Sequence, residues 1–350
     1  YLLSLPGIEI GLNCFKDSKK ITKIEIPSTI TSIGISAFFG CKNLEQITIP
    51  STVKSINKYA FFDCEKLTKI IIPQNVTKIE DHSFEGCISL NEISIPSSIT
   101  SIGISSFKLC KKLKQISIPS SVKVIGDYAF KGCSLLEELI VPSSVKSIGH
   151  CFVSECFSLK NISIPSKIEY FAKLDFHCSL LKEFTIPSSV KKIDDFAFNK
   201  CSEIKKVEIP SSVSIIGRYA FYECKSLEKI IIPPLVTSIE DNTFDGCYSL
   251  SEIIFPSSLK SIGSSSFNGC QSLVNIELPS TVESIVYNAF KGCKLLEKIT
   301  IKATRKDSRI KQKVTSVDST LKSSLPDLKI IPDKLTIKIL ILGDSDIGKT

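Results

Sequence analysis

Residues 113–133 read LKQISIPSSVKVIGDYAFKGC, and variants of this unit fill most of the 350-residue chain. Proline recurs at one position and cysteine at another, each with a step of 23 residues that is broken once by a step of 22. The prolines are Pro27, Pro50, Pro73, Pro96, Pro119, Pro142, Pro165, Pro187, Pro210, Pro233, Pro256 and Pro279. The cysteines are Cys41, Cys64, Cys87, Cys110, Cys133, Cys156, Cys178, Cys201, Cys224, Cys247, Cys270 and Cys293. Two markers in one register predict a repeat protein of about twelve coils.

The first half of the unit predicts one β-strand in each coil. Ile116 and Ile118 alternate with polar residues, which is the period of a strand with one buried face, and β-branched side chains suit that geometry. Pro119 cannot donate a hydrogen bond to a sheet and therefore ends the strand. Val122 and Ile125 are expected to point inward on a second short strand. The alanine, phenylalanine and cysteine that follow predict a tight turn or a single helical turn.

The unit I-P-x-x-V-x-x-I-G-x-x-A-F-x-x-C-x-x-L resembles the BspA-like leucine-rich repeat family over about residues 21–301. This resemblance implies a leucine-rich repeat solenoid of the α/β horseshoe class, mostly β, with parallel stacked strands. It also implies protein binding and adhesion at the cell surface, without a family-wide active site. The unit is irregular at Cys151-Phe152 and lacks one residue around Tyr170-Phe171, so we expect a bulge or bend there. The predicted solenoid domain covers residues 1–301.

Charge and hydropathy exclude two function classes. The net charge of +8 is small for this length, and lysine alternates with glutamate along the repeats, which indicates a solvated surface and no nucleic-acid partner. No stretch approaches the ~18 consecutive apolar residues that a membrane-spanning helix needs.

The cysteine ladder predicts buried free thiols. Twelve of the fourteen cysteines share one repeat position beside phenylalanine and leucine, where a small apolar side chain packs well, so packing is favoured over a disulfide framework. Free thiols favour a reducing compartment. His82, His150 and His177 occupy three different repeat positions, which argues against a stacked metal site and against Cys/His catalysis.

The outward row of the first strands is the predicted surface for a protein partner. Exposed isoleucines in this row would form apolar patches, although single exposed apolar residues are also common on monomeric proteins. The candidate partner-binding residues are Lys69, Ile71, Glu92, Glu208, Lys229, Ile231, Glu252, Ile254 and Glu277.

The repeat stops after Ile301, and residues 302–335 are predicted to form a cap remnant and a linker. Basic residues within 302–313 are consistent with weak contact to anionic lipid or with a solvated tail. The run from Leu335 to Leu342 predicts a buried strand. It leads into the pattern G-x-x-x-x-G-K-T, so residues 336–350 are predicted to be the first strand and phosphate-binding loop of a truncated α/β domain.

The amino-acid sequence of this loop is similar to that of Rab and other Ras-like small GTPases. Leucine-rich repeats that precede such a domain resemble the Roco architecture. The resemblance implies GTP and Mg²⁺ as cofactors, with Lys349 at the β/γ-phosphates and Thr350 as Mg²⁺ ligand. Asp346 departs from the usual glycine. Because the chain ends before any switch motif, it is not expected to hydrolyse GTP. The cofactor-binding candidates are Gly343, Asp344, Ser345, Asp346, Ile347, Gly348, Lys349 and Thr350.

Two functional hypotheses follow. In the first, the solenoid is the partner-binding arm of a cytoplasmic GTP-binding protein, with or without membrane association. In the second, the chain is a cell-surface or secreted adhesion protein without a nucleotide function. Asn75-Val76-Thr77 and Asn161-Ile162-Ser163 match the glycosylation acceptor pattern, which matters only in the second case.

Overall fold

The structure is a computed structural model that describes residues 8–168, 170–171, 175–177, 180–302, 328–333 and 336–341. Within these ranges the chain forms strands and turns and no helix. The chain divides into two compact units, Tyr1–Leu181 (unit 1) and Lys182–Thr350 (unit 2). Each unit is built of stacked coils with the predicted 23-residue period.

Unit 1 contains fourteen described strands, most of them two or three residues long. They are β1 (Ile8–Ile10), β2 (Lys23–Glu25), β3 (Ile30–Ile33), β4 (Gln46–Thr48), β5 (Ser55–Ile56), β6 (Lys69–Ile71), β7 (Lys78–Ile79), β8 (Glu92–Ser94), β9 (Ser101–Ile102), β10 (Val124–Ile125), β11 (Glu138–Ile140), β12 (Ser147–Ile148), β13 (Asn161–Ser163) and β14 (Tyr170–Phe171).

Unit 2 continues the same pattern and ends in longer strands. Its described strands are β15 (Glu183–Thr185), β16 (Lys192–Ile193), β17 (Lys206–Glu208), β18 (Ile215–Ile216), β19 (Lys229–Ile231), β20 (Ser238–Ile239), β21 (Glu252–Ile254), β22 (Ser261–Ile262), β23 (Asn275–Pro279), β24 (Ser284–Ile285), β25 (Lys298–Lys302), β26 (Leu328–Asp333) and β27 (Thr336–Ile341).

Two faces of each unit are made of parallel strands from successive coils. The long-strand face consists of β2, β4, β6, β8, β11 and β13 in unit 1 and of β15, β17, β19, β21, β23 and β25 in unit 2. The short-strand face consists of β1, β3, β5, β7, β9, β10, β12 and β14 in unit 1 and of β16, β18, β20, β22 and β24 in unit 2. Residues 23 apart are paired, as Lys69 with Glu92 and Val124 with Ser147. The predicted parallel solenoid with a second short strand is therefore confirmed.

The third side of each coil, called the turn side, runs from the residue after the short strand to the ladder cysteine, as in residues 103–110. The backbone here is a series of turns, so of the two sequence-based alternatives the tight turn is correct. Ser105 (φ 50°) and Leu109 (φ 62°) have left-handed conformations. The amides of Ser105, Phe107 and Leu109 each donate to a carbonyl of the next coil at 2.8 Å. Alternate amides thus join coils, and the turn side is hydrogen-bonded like a sheet.

The core consists of columns of identical side chains. One column of turn-side phenylalanines is buried in each unit, and its rings stack on one another. Ring centroids of Phe84, Phe107 and Phe130 are 5.5–5.6 Å apart and nearly parallel. Phe198 and Phe221 in unit 2 stack at 5.1 Å. Because a single coil cannot enclose its apolar side chains, the neighbouring coils supply the burial.

Beyond the last repeat, antiparallel pairing replaces parallel pairing. β27 pairs antiparallel with β25 on one side and with β26 on the other. β27 is the strand predicted between Leu335 and Leu342, and β26 lies in the segment predicted as cap remnant and linker. Residues 342–350, which include the predicted phosphate-binding loop, lie outside the described part of the chain.

Candidate partner-binding surface

Alternation along each long strand decides which residues face outward. In β19 the side chain of Ile230 is buried, whereas Lys229 and Ile231 on either side of it are exposed. β21 follows the same rule with Ile253 inside. The nine predicted partner-binding residues all have this outward position and all are exposed. Their places are β6, β8, β17, β19, β21 and β23.

Ion pairs link much of this surface. Lys69 Nζ lies 2.6 Å from Glu92 Oε2, and Lys229 Nζ lies 2.7 Å from Glu252 Oε1, both across neighbouring strands. Glu208 accepts a hydrogen bond from Lys206 at 2.7 Å, and this bond, more than a further one from Thr185 Oγ1, lowers the pKa of the Glu208 carboxyl. Because these groups are solvent-exposed, the pairs set the charge pattern more than the stability.

Two of the three predicted isoleucines form a contiguous apolar site. Ile231 and Ile254 are paired in register on β19 and β21 and are 55% and 43% exposed. The Lys229–Glu252 ion pair lies beside them at the other outward position of the same strands. Ile71 in unit 1 is 61% exposed but its register partner is Ser94, so it is an isolated apolar residue.

One exposed isoleucine of this row was not among the predicted partner-binding residues. Ile140 on β11 is 59% exposed and occupies the same repeat position as Ile71. The signal was present, since the repeat register alone predicts its outward orientation. Its register partner is Ser163, so it too stands alone.

Three shallow grooves lie along the long-strand face. A groove of about 230 Å³ in unit 1 is formed by Gln115, Ile116, Ser117, Ile118, Glu138, Ile140 and Pro142. In unit 2, a groove of about 650 Å³ is lined by Glu183, Lys205, Lys206, Val207, Glu208, Ile209, Glu228, Lys229 and Ile231. Another, of about 500 Å³, is lined by Ser251, Glu252, Ile253, Ile254, Phe255, Ser257, Asn275, Glu277, Leu278, Pro279 and Ser280. The structure therefore brings six of the nine predicted residues onto two grooves of unit 2.

The ladder cysteines are buried free thiols wherever the structure describes them. Cys133 Sγ donates to the carbonyl oxygen of Phe107 at 3.1 Å, and Cys224 Sγ donates to that of Phe198 at the same distance. Burial raises the pKa of Cys133 to about 12. Such a thiol is protonated and inaccessible, so its reduced state says little about the redox poise of its compartment. The buried free thiols therefore do not indicate a reducing compartment, as the sequence had suggested.

The histidines do not converge on a metal or catalytic site in the part of the chain that the structure describes. His82 Nδ1 contacts Glu85 Oε2 at 2.5 Å, and its ring stacks on Tyr59 with centroids 4.6 Å apart. Lys108 Nζ binds the other oxygen of Glu85 at 2.8 Å. Among the described residues, no three histidine, cysteine or acidic side chains group closely enough to hold a metal ion.

The other residues singled out in the sequence are the candidate glycosylation sites, the predicted lipid-contact segment and the predicted phosphate-binding loop. Asn75 is exposed and its side-chain amide donates to the Ser51 carbonyl at 2.7 Å, and Asn161 is exposed on β13. Within the predicted lipid-contact segment 302–313, only Lys302 is described, as the last residue of β25. Gly343–Thr350 lies outside the described residues. Among the described residues, none belongs to a helix that could span a membrane.

The geometry defines a leucine-rich repeat solenoid of about twelve turns. Comparisons with known proteins identify the family to which it belongs. The model of the BspA type leucine rich repeat region matches residues 8–136, 100–228 and 191–322. The chain belongs to this BspA-type family. The predicted family is thus confirmed for the repeats, whereas the comparisons give no support for a Ras-like GTPase domain. No curated protein sequence matches the chain at a significant level.

Solved structures agree with the family assignment. A leucine-rich repeat protein from Bacteroides ovatus ATCC 8483 is 34% identical, with a TM-score of 0.60 over 79% of this chain and 83% of that one. A leucine rich cell surface protein from Faecalibacterium prausnitzii A2-165 is 30% identical, with a TM-score of 0.56 over 88% and 85% of the two chains. A leucine-rich repeat protein from Eubacterium ventriosum ATCC 27560, 24% identical with a TM-score of 0.51, shares the fold.

Proposed function

We propose that this chain is a protein-binding scaffold of a cell-surface protein, and that its partner docks on the long-strand face of unit 2. The observation that carries this proposal is the paired exposure of Ile231 and Ile254 between two grooves. Adjacent apolar residues surrounded by charged pairs resemble the composition of protein interfaces, where an apolar centre is enclosed by a polar rim.

The cell-surface location rests on family membership. The relative from Faecalibacterium prausnitzii is described as a cell surface protein, and this favours the adhesion hypothesis over the cytoplasmic one. Labelling of intact and permeabilised source cells with an antibody to the solenoid tests the location. Labelling of intact cells is expected. Labelling that requires permeabilisation would contradict it.

Binding to an array of purified extracellular-matrix and serum proteins tests the docking surface. The double variant Ile231→Glu with Ile254→Glu introduces charge at the apolar centre and is expected to weaken the strongest binding by about tenfold or more. The double variant Ile71→Glu with Ile140→Glu is the matched control, since it places the same two charges at equivalent exposed positions of unit 1. Equal losses in both double variants, or no loss in the first, would refute this docking site.

A second proposal concerns Gly343–Thr350, whose G-x-x-x-x-G-K-T pattern supports GTP and Mg²⁺ binding in a protein that contains a complete domain. β27 precedes this pattern, as the motif requires, but its antiparallel pairing on both sides differs from the mainly parallel sheets of nucleotide-binding α/β domains. Fluorescent GDP binding by the full-length protein, with Lys349→Ala as the variant, tests it. Unchanged binding by that variant would remove the proposed role of Lys349.

A further inference from the structure

The short-strand face of unit 1 has an unusual charge composition. The first six repeat prolines are each followed by a six-residue segment of this face, and these six segments together contain four lysines and no aspartate or glutamate. The segments are 28–33, 51–56, 74–79, 97–102, 120–125 and 143–148. In contrast, the long-strand face mixes lysine with glutamate, as in the Lys69–Glu92 pair. Within these six coils the short-strand segments therefore have an excess of positive charge.

The lysines of this face are available to an external anion. Lys54, Lys78 and Lys123 are exposed and form no ion pair with any described carboxylate. Lys78 begins β7, and Lys123 immediately precedes β10. They lie on coils two, three and five, and because parallel strands are spaced by ~4.8 Å, they extend over ~14 Å along the stack. Lys146 is the corresponding residue on the next coil, and its amide donates to the Lys123 carbonyl at 2.8 Å.

Acidic groups border this face but do not neutralise its centre. Asp81 already binds Lys58 Nζ at 2.8 Å and the Ile104 amide at 2.9 Å. Asp127 Oδ1 accepts the His150 amide at 2.7 Å. Glu9 lies on β1 at one margin and Glu80 is half-buried after β7. Two of these carboxylates, Asp81 and Asp127, are thus occupied by other donors, and Glu80 on coil three is partly withdrawn from solvent.

Hydroxyl groups fill the positions between the lysines. Ser55 Oγ donates to Ser32 Oγ at 2.8 Å, and Thr100 Oγ1 donates to the Thr77 carbonyl at 3.1 Å. None of the six segments contains an aromatic residue, so these six coils offer no stacking platform for nucleic-acid bases. Val124 is the large apolar side chain exposed within the six segments, and Ile8 on β1 is another at the end of the face, which is too little for insertion into a membrane.

We propose that the short-strand face of unit 1 binds a linear sulfated polysaccharide lying along the stack, with Lys54, Lys78 and Lys123 contacting sulfate groups. Lysine ammonium groups bind sulfate oxygens through charge-assisted hydrogen bonds. The serine and threonine hydroxyls between them both donate and accept, as recognition of sugar hydroxyls requires. Lysines at two adjacent repeat positions on coils two, three and five fit an extended polyanion, since the stacked coils are spaced at a constant interval.

Heparin serves as the probe, and its binding to the purified chain is measured at several salt concentrations. The variant K54T/K78S/K123T replaces each lysine with a residue that the same repeat position already carries in a neighbouring coil, at Thr31, Ser55 and Thr100. We expect it to bind heparin about tenfold more weakly or worse, with a smaller salt dependence, because three screened contacts are lost.

The control variant K42S/K131S/K160T removes the same charge from lysines that are ion-paired with Glu65, Glu155 and Glu137. It is expected to bind heparin within about threefold of the wild type. Equal losses in both variants would show that only net charge matters and would overturn the proposal. Binding of duplex DNA or anionic vesicles as tightly as heparin would overturn the polysaccharide assignment. Thermal unfolding of both variants confirms that each is folded.

Discussion

The turn side and the outer row of the long-strand face differ in what they repeat. On the turn side phenylalanine and cysteine return at fixed positions, and the rings of Phe61, Phe84 and Phe107 stack at 5.5–5.6 Å. On the outer row, equivalent positions hold lysine, glutamate, glutamine, isoleucine, serine, threonine or asparagine. Columns that pack against the neighbouring coil are restricted by that contact, whereas columns that face solvent are free to vary. The repeated columns therefore maintain the fold, and the variable ones are available for recognition.

The largest expected difference concerns the phenylalanine column. Phe107→Ala removes a fully buried ring from between two stacked neighbours and is expected to destabilise the protein by about 3–5 kcal/mol through lost burial and a cavity. Urea unfolding followed by circular dichroism measures the change. Ile140→Ala, on the outer row at 59% exposure, is the control and should change stability by less than about 0.5 kcal/mol. Similar losses in the two variants would break the comparison.

A smaller effect is expected at the glycine that opens the turn side. A Cβ atom at Gly103 would lie 2.7 Å from both the Asp81 nitrogen and the Glu80 carbonyl carbon, which are backbone atoms of the preceding coil. Gly103→Ala should therefore separate the two coils and cost about 1–3 kcal/mol. Thermal unfolding measures this cost. Gly11→Ala, where no atom lies within 4 Å, should be nearly neutral, and an equal loss there would contradict the steric explanation.

The cysteine column should make stability fall at alkaline pH. The pKa of Cys133 is raised from 9.0 to about 12 by burial, so above pH 9 the unfolded chain loses a proton that the folded chain keeps. The contribution is fully present below pH 9 and is lost as the pH rises towards 12, at up to about 1.4 kcal/mol per pH unit for each such thiol. Urea unfolding at pH 8, 9 and 10 measures the slope.

Cys133→Ala provides the matched control for that pH dependence. It lacks one ionisable thiol, so its stability is expected to fall less steeply with pH than that of the wild type. Identical slopes for the variant and the wild type would show that ladder thiols do not couple ionisation to folding.

The smallest effect on stability is expected on the outer row. Ile231→Glu replaces a residue that is 55% exposed, so unfolding in urea should shift by no more than about 0.5 kcal/mol. The same substitution belongs to the double variant that is expected to impair partner binding. A large loss of stability would mean that Ile231 packs structurally, and the separation between fold columns and recognition columns would then fail at this position.

Most of the fold was predictable because the repeat reports the same environment about twelve times. The strand at Ile116 and Ile118, the proline that ends it and the inward column of Val122 and Ile125 follow from local periodicity. The turn side was less predictable. Left-handed conformations at Ser105 and Tyr128 carry no strong sequence signal, since neither residue is glycine. Hydrogen bonds from the next coil hold these conformations, and those bonds exist only in the stack.

The candidate binding surfaces were also predictable only in part. The register of the repeat was sufficient to predict that Lys69, Ile71, Ile231 and Ile254 face outward. The sequence did not distinguish the isolated Ile71 from the paired Ile231 and Ile254, because adjacency across coils depends on which side chains meet in register. The basic short-strand face was also overlooked, since its lysines are separated by about 20 residues or more along the chain.

By itself the sequence determined the repeat length, the parallel stacking, the inward columns and the BspA-type family, because each follows from one local pattern and its regular repetition. Only the tertiary structure decided how alternate amides join the turns, which exposed residues become neighbours and where charge of one sign accumulates. These properties arise between coils. Their physical basis is the ~4.8 Å strand spacing, which brings residues 23 positions apart in the chain into direct contact.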